Sequence, residues 1–174
     1  MAILPYIYLG YMFISLYFFF FYVILYHRNK KNLYATPEIT KNYEVSVMIP
    51  VWNEEKTIVG TVESLIKSTE GYPIKEIIII NDNSTDKTSE IINRLEKKYP
   101  IITVINNEKN LGKAGALNRA IGITKTELVA VIDSQSFLEK DSIKNLIGFF
   151  DEEKVGVASA KILVRKKDNF LEKL

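Results

Sequence analysis

Leu128-Val129-Ala130-Val131-Ile132-Asp133-Ser134-Gln135-Ser136 decides how the rest of this chain is read. A run of apolar residues ends abruptly in an acid and small polar residues. That pattern predicts a buried strand delivering Asp133 to the mouth of a sheet, where open α/β folds hold ligands. Two upstream runs end in the same way. Val45-Ser46-Val47-Met48-Ile49 is rich in β-branched residues and stops at Pro50. Glu76-Ile77-Ile78-Ile79-Ile80, apolar on both faces as a central parallel strand should be, runs into Asn81-Asp82-Asn83-Ser84-Thr85-Asp86.

Helical patterns separate these runs. Ile58, Val59, Val62, Leu65 and Ile66 recur with a period of about 3.6 residues, with Asn53 as a candidate cap. Gly71 and Pro73 break the chain before the second strand. Ile91, Ile92 and Leu95 mark a second helix, which Pro100 ends, and Ile101-Ile102-Thr103-Val104-Ile105 reads as a third strand. A loop from Asn106 to Gly112 leads to a short helix carrying Ala114, Ala116, Leu117, Ala120 and Ile121. Asp141 to Phe150 reads as a helix and Val155 to Ala160 as a further strand. This alternation implies an α/β fold with a mostly parallel sheet, helices on both faces and right-handed crossovers. The strand C-termini then share one edge, so Pro50-Val51-Trp52-Asn53-Glu54, Asn81-Asp82-Asn83-Ser84 and Asp133-Ser134-Gln135 converge there. Each cluster alone reads as a helix cap or a turn; three on one edge are a stronger signal of a ligand site.

The N-terminus is of another kind. No charged side chain occurs from Ile3 to Tyr26, long enough for the roughly 20 residues that span a bilayer. Tyr6, Tyr8 and Tyr11 at one end, and Tyr22 and Tyr26 at the other, suit the two interfacial belts. No positive residue precedes the run and no small-residue cleavage site follows it, which argues against a signal peptide. His27-Arg28-Asn29-Lys30-Lys31 follows directly, and positive flanks mark the cytoplasmic side. The expected organisation is a transmembrane helix over 1–27, a basic juxtamembrane linker over 28–44, and a cytoplasmic domain over 45–174. A cytoplasmic domain also makes the glycosylation sequon Asn83-Ser84-Thr85 irrelevant.

Composition excludes several chemistries. There is no cysteine, and the single histidine, His27, lies beside the apolar segment. Thiolate catalysis, disulfides and histidine-based zinc or triad sites are therefore ruled out. A net charge of +2 gives no bias toward nucleic acid. Asp82 to Asp86 resembles the start of a calcium loop, but Lys87 stands where its glycine is required and Asn93 where its bidentate acid is required. Neither a G-x-G-x-x-G turn nor a P-loop is present.

Four stretches in order resemble the family-two inverting glycosyltransferases of the GT-A fold. Val47-Met48-Ile49-Pro50-Val51-Trp52-Asn53-Glu54-Glu55 is similar to the family's first strand and its Pro-x-x-Asn-Glu motif. Asn81 to Asp86 is similar to its Asp-Asp-Gly-Ser-Thr-Asp turn, and Asn110-Leu111-Gly112-Lys113-Ala114-Gly115-Ala116-Leu117-Asn118 to its Asn-x-Gly-Lys-Ala-x-Ala-x-Asn helix start. Asp133-Ser134-Gln135 occupies the place of its Asp-x-Asp. The resemblance spans roughly residues 45 to 170.

What the resemblance implies is a nucleotide-diphosphate-sugar site. Pro50, Val51 and Trp52 would lie at the nucleobase, Val51 and Trp52 packing on it. Asp82 would accept from a base N–H, and Glu54 would touch base or ribose. Lys113 would attract the diphosphate near a helix N-terminus, and Asp133 and Ser134 would face ribose and diphosphate. Asp133 and Gln135 would hold a divalent cation, Mg2+ or Mn2+. Gln135 stands for the motif's second acid and supplies an oxygen without charge, so cation affinity should be weakened. Asn81 stands for the first acid of the turn, a mild change because the base contact falls on Asp82. The family's catalytic base and acceptor motifs lie beyond the second half of the sheet. No carboxylate up to Leu174 is nominated as that base, and a C-terminal region or a partner chain is expected to supply it. The implied activity is sugar transfer to a polysaccharide or a lipid-linked acceptor at a membrane. The competing reading is a catalytically inactive nucleotide-binding or partner-binding membrane module.

Overall fold

The computed structural model describes residues 3–33 and 36–160, and the chain falls into two units, Met1–Pro37 and Glu38–Leu174. In the first unit, helix α1 (Leu4–Leu33) runs for 30 residues, about 45 Å at the usual rise. Over Leu4–Lys31 it is long and apolar enough to cross a membrane, with Lys30 and Lys31 in its last turn. Its aromatic and aliphatic side chains are exposed around the whole circumference. A helix apolar on every side has no single face to bury against a soluble core.

The second unit is built on a four-stranded parallel sheet in the order β3-β2-β1-β4: β1 (Val45–Val51), β2 (Glu76–Asn81), β3 (Ile102–Asn106) and β4 (Leu128–Val131). Alternation along β1 sorts its side chains to two faces. Val45, Val47, Ile49 and Val51 join Ile77 and Ile79 of β2 in the larger core cluster. Ile58, Val62 and Leu65 of α2 (Ile58–Ser68), Ile92 and Leu95 of α3 (Thr88–Lys98) and Ile143 and Ile147 of α5 (Ser142–Ile147) pack against them. On the opposite face Met48, Ile78 and Ile80 meet Ala116 and Ala120 of α4 (Gly112–Ile121). Small residues let α4 lie close to the sheet, and burying each isoleucine of β2 contributes about 1.5–3 kcal/mol.

Pro50 was expected to stop β1, yet the strand continues to Val51. The ladder explains this. The carbonyls of Glu44 and Met48 face β4, accepting from Leu128 and Ile132, whereas those of Val45 and Val51 face β2. Pro50 therefore lacks its N–H on the β4 side, where pairing ends at Met48 opposite Val131. No ladder bond is lost.

Two further expectations are corrected. β4 is an edge strand rather than a buried one, with Val129 40% and Val131 48% exposed, because α4 covers Met48, Ile78 and Ile80 and stops short of β4. Val155–Ala160 forms no strand: it pairs with none of the four, and an extended run without a ladder partner is not a strand. The Asp141–Phe150 helix is present as α5 followed by a 3-10 turn at Gly148–Asp151.

The segment 38–44 is bonded to the far end of the domain. Asp151 Oδ2 accepts from Thr40 N at 2.6 Å and Thr40 Oγ1 at 2.7 Å, and Oδ1 accepts from Tyr43 Oη at 2.9 Å. These donors, those of Thr40 foremost, hold the Asp151 carboxyl below its ordinary 3.8. Burial, then the hydrogen bond to Asp151, pushes the Tyr43 phenol up to about 12. Asp151 therefore stabilises the fold above about pH 3.8 and loses that contribution as pH falls through its lowered value. Asp151→Asn is expected to lower the melting temperature at pH 7 and to converge on wild type below pH 3.8. The Tyr43 contribution disappears between pH 10 and 12. Thermal melts followed by circular dichroism across pH check both.

Candidate functional site

Parallel register sets Val51 beside Asn81, and Asn81 beside Asn106. The residues that follow, Trp52, Asp82 and Asn107, therefore open on one edge of the sheet. β4 joins the same edge: Ile132 N donates to Met48 O at 3.0 Å, and Asp133 comes next.

Asp82 is only 4% exposed. A buried carboxylate needs donors, and its Oδ1 accepts from Asn107 Nδ2 at 2.7 Å and Leu111 N at 2.9 Å. No hydrogen bond among the described residues reaches Oδ2, and none of their buried polar side-chain atoms lacks a partner. Oδ2 therefore touches solvent, as an acceptor fixed at the sheet edge. Asn107 in turn accepts from Arg119 Nη1 through Oδ1 at 2.7 Å. Asn81 Nδ2 donates to Asn106 Oδ1 at 2.9 Å, while its Oδ1 accepts from Ser84 N at 3.1 Å. An acid at position 81 could only accept, so the first bond would require the Asn106 amide to turn over.

The loops after β1 and β2 are tied together. Asn53 sits at φ 56°, and its Oδ1 accepts from Thr85 N at 2.8 Å. Asparagine tolerates that left-handed conformation better than most residues. Asn53 is thus a loop bridge, not the cap of α2, which starts at Ile58 behind Thr57. Glu54 N donates to Thr88 Oγ1 at 2.8 Å, and Glu55 N to Asp86 Oδ2 at 3.3 Å. Burial raises the pKa of Asp86, but hydrogen bonds from the Thr88 hydroxyl and amide and the Glu55 amide outweigh it, so the carboxyl stays below 3.8.

The loop carrying Asp133 lies on α2. Thr61 Oγ1 donates to the Ser134 carbonyl at 2.7 Å, and Leu138 N to Ser64 Oγ at 3.1 Å. The Phe137 ring rests on Gly60, where an added Cβ would come within 2.6 Å of it. Gln135 Nε2 then reaches Glu54 Oε1 at 2.8 Å, and Glu54 Oε2 accepts from Thr57 Oγ1 at 2.6 Å. A carboxylate only accepts, so Gln135 must offer it the amide nitrogen. A cavity of about 360 Å³ opens here, lined by residues 53–57, Asp86 and Gln135. At the other end of the loop Lys113, the second residue of α4, donates to Asp133 Oδ1.

Of the residues expected at the site, Trp52, Glu54, Asp82, Lys113, Asp133 and Gln135 line this edge. Trp52 is 55% exposed. Val51 is not: at 1% exposure it belongs to the core. Pro50 is half-buried within β1. Ser134 is buried, its carbonyl taken by Thr61. Sequence reasoning missed Asn107 and Arg119; the signal was the polar pair Asn106-Asn107 ending a third apolar run, as at the other two strands.

Residues 46–174 match the family described as Glycosyl transferase family 2. The chain belongs to that family. A beta-monoglucosyldiacylglycerol synthase of Nostoc sp. is 33% identical over 132 residues, 74% of this chain and 28% of the relative. A poly-beta-1,6-N-acetyl-D-glucosamine synthase of Staphylococcus aureus is 31% identical over 161 residues, 92% of this chain and 38% of the relative. A match of that length takes in the second half of α1. The chain thus spans less than half of the curated relatives it matches. Among solved structures, a mannosyltransferase from Pyrobaculum calidifontis in complex with GDP-Man and Mn2+ aligns with a TM-score of 0.66 and 25% identity, over 77% of this chain and 41% of that one.

Asn107→Ala is expected to destabilise the domain by about 1–3 kcal/mol, since it leaves Asp82 a donor short and Arg119 with only the Asn106 carbonyl as acceptor. Urea unfolding measures this. Unchanged stability would mean that the Leu111 amide satisfies Asp82 without help.

Proposed function

We propose that this chain is the donor-binding part of a membrane-anchored glycosyltransferase, transferring a sugar from a nucleotide-diphosphate-sugar to a polysaccharide or lipid-linked acceptor. The observation that carries the reading is Asp82, a buried carboxylate with one oxygen committed to the fold and the other open at the sheet edge. Such an oxygen is positioned to accept from a base N–H, with Trp52 as the stacking surface beside it. Glu54 adds an acceptor for base or ribose. Leu111 gives α4 no side-chain cap; Gly112 N is held by Asn110 Oδ1 at 2.9 Å, and the amides that follow it, with Lys113, favour a diphosphate.

The donor set suits a hard divalent cation. Asp133 offers a carboxylate, and Gln135, its nitrogen turned to Glu54, has its amide oxygen free for coordination. No group of three or more acidic or histidine side chains gathers among the described residues, so diphosphate and water would complete the shell. Bound there by Asp133 and Gln135, Mg2+ or Mn2+ would offset the diphosphate charge and stabilise the departing nucleoside diphosphate. Inversion requires a carboxylate base at the acceptor hydroxyl. We assign none within the described residues and place base and acceptor site on a following region or a partner chain. α1 would anchor the chain with its basic end, and the domain, on the cytoplasmic side. The names of the glycolipid and polysaccharide synthases among its relatives support such an acceptor.

The second reading, a nucleotide-binding module without activity, draws on Gln135, whose amide brings no charge to a cation. Calorimetric titration of UDP- and GDP-sugars into the full chain, with and without Mn2+, tests the donor site; absence of binding under every condition rejects it. Asp82→Ala is expected to weaken nucleotide binding about tenfold or more, the worth of a hydrogen bond to a charged group, and more than Gln135→Ala does. The reverse order would place the base elsewhere.

A further inference from the structure

We propose that Lys113 is the resident counter-ion of Asp133, filling the cation's place until a diphosphate draws the ammonium away. The inference rests on the donor-site reading above. Lys113 and Asp133 form an ion pair in which both side chains stay about 60% exposed (59% and 61%). The ammonium lies on Oδ1, and an N–H donor and a divalent cation compete for that oxygen's lone pairs. A cation arriving alone must therefore displace Lys113 or accept a poorer share of Asp133.

A diphosphate changes this balance. Lys113 is the second residue of α4, so a phosphate at the helix start is within reach of its flexible stem, and its exposure means the swing disturbs no packing. The ammonium then exchanges one carboxylate for a more highly charged group, and Asp133 is released. Cation and nucleotide should consequently tighten each other, by one shared factor as linkage requires. Lys113 carries part of that factor. Gln135 stays fixed during the exchange, because its amide nitrogen is held by Glu54 at the opposite end of the loop.

The experiment measures Mn2+ affinity of the full-length protein by electron spin resonance of free Mn2+, alone and with saturating UDP or GDP. In wild type the nucleotide is expected to tighten Mn2+. Lys113→Met should tighten Mn2+ alone by about three- to fivefold, the range set by an exposed ion pair, while weakening nucleotide. The mutual tightening should shrink by the same factor. Lys113→Arg, which keeps the bridge, should behave as wild type. Lys56→Met, which removes a charge from the cavity wall but not from Asp133, should leave Mn2+ affinity nearly unchanged. Nucleotide binding with unchanged or weaker Mn2+ affinity in Lys113→Met overturns the counter-ion role alone. Equal tightening by Lys56→Met would also overturn it, by reducing the effect to general charge. A wild type that binds neither nucleotide nor Mn2+ overturns this inference and the donor-site reading together.

Discussion

Parallel pairing in register is the constraint on which the rest of this domain depends. β1 is bonded on both sides, and because all strands run one way, every strand delivers its next residue to the same edge. Residues far apart in sequence, Trp52, Asp82, Asn107 and Asp133, become neighbours without any one loop having to be long. The two faces are filled unequally. Three helices with branched side chains build the larger core, whereas alanines bring α4 close on the other face. From the start of α4 the long Lys113 side chain then reaches Asp133, just past the end of β4.

The edge handles its charges in two ways. Asp82 is buried and structural: one oxygen ties β2 to the loop before α4 and the other reaches solvent. The Asp133 carboxylate is exposed and is held by the flexible Lys113 side chain. In the function proposed above, a buried carboxylate would recognise a fixed base edge, and an exposed one would make a contact that is remade as charge arrives.

Much of the fold was legible in the sequence because it follows from short-range pattern. Four apolar runs, each ended by polar residues, gave the strands, and 3.6-residue periodicity gave the helices between them. Less legible were features that depend on a partner. Val155–Ala160 has strand-like residues but no strand to pair with. β4 reads as apolar on every residue, yet edge position leaves Val129 and Val131 exposed. Val51 looked like part of a binding surface beside Trp52, and alternation turned it into the core.

The sequence by itself determined the α/β class, the apolar N-terminal helix and the three polar clusters, since hydrophobic period and strand-ending residues are local properties. Only the tertiary structure decided how those clusters are joined. Asn53 as a bridge at positive φ, Gln135 turned to Glu54, Lys113 held on Asp133 and Asn107 beneath Asp82 are all contacts across different loops. Their partners are set by sheet register and helix packing, and no spacing along the chain encodes them.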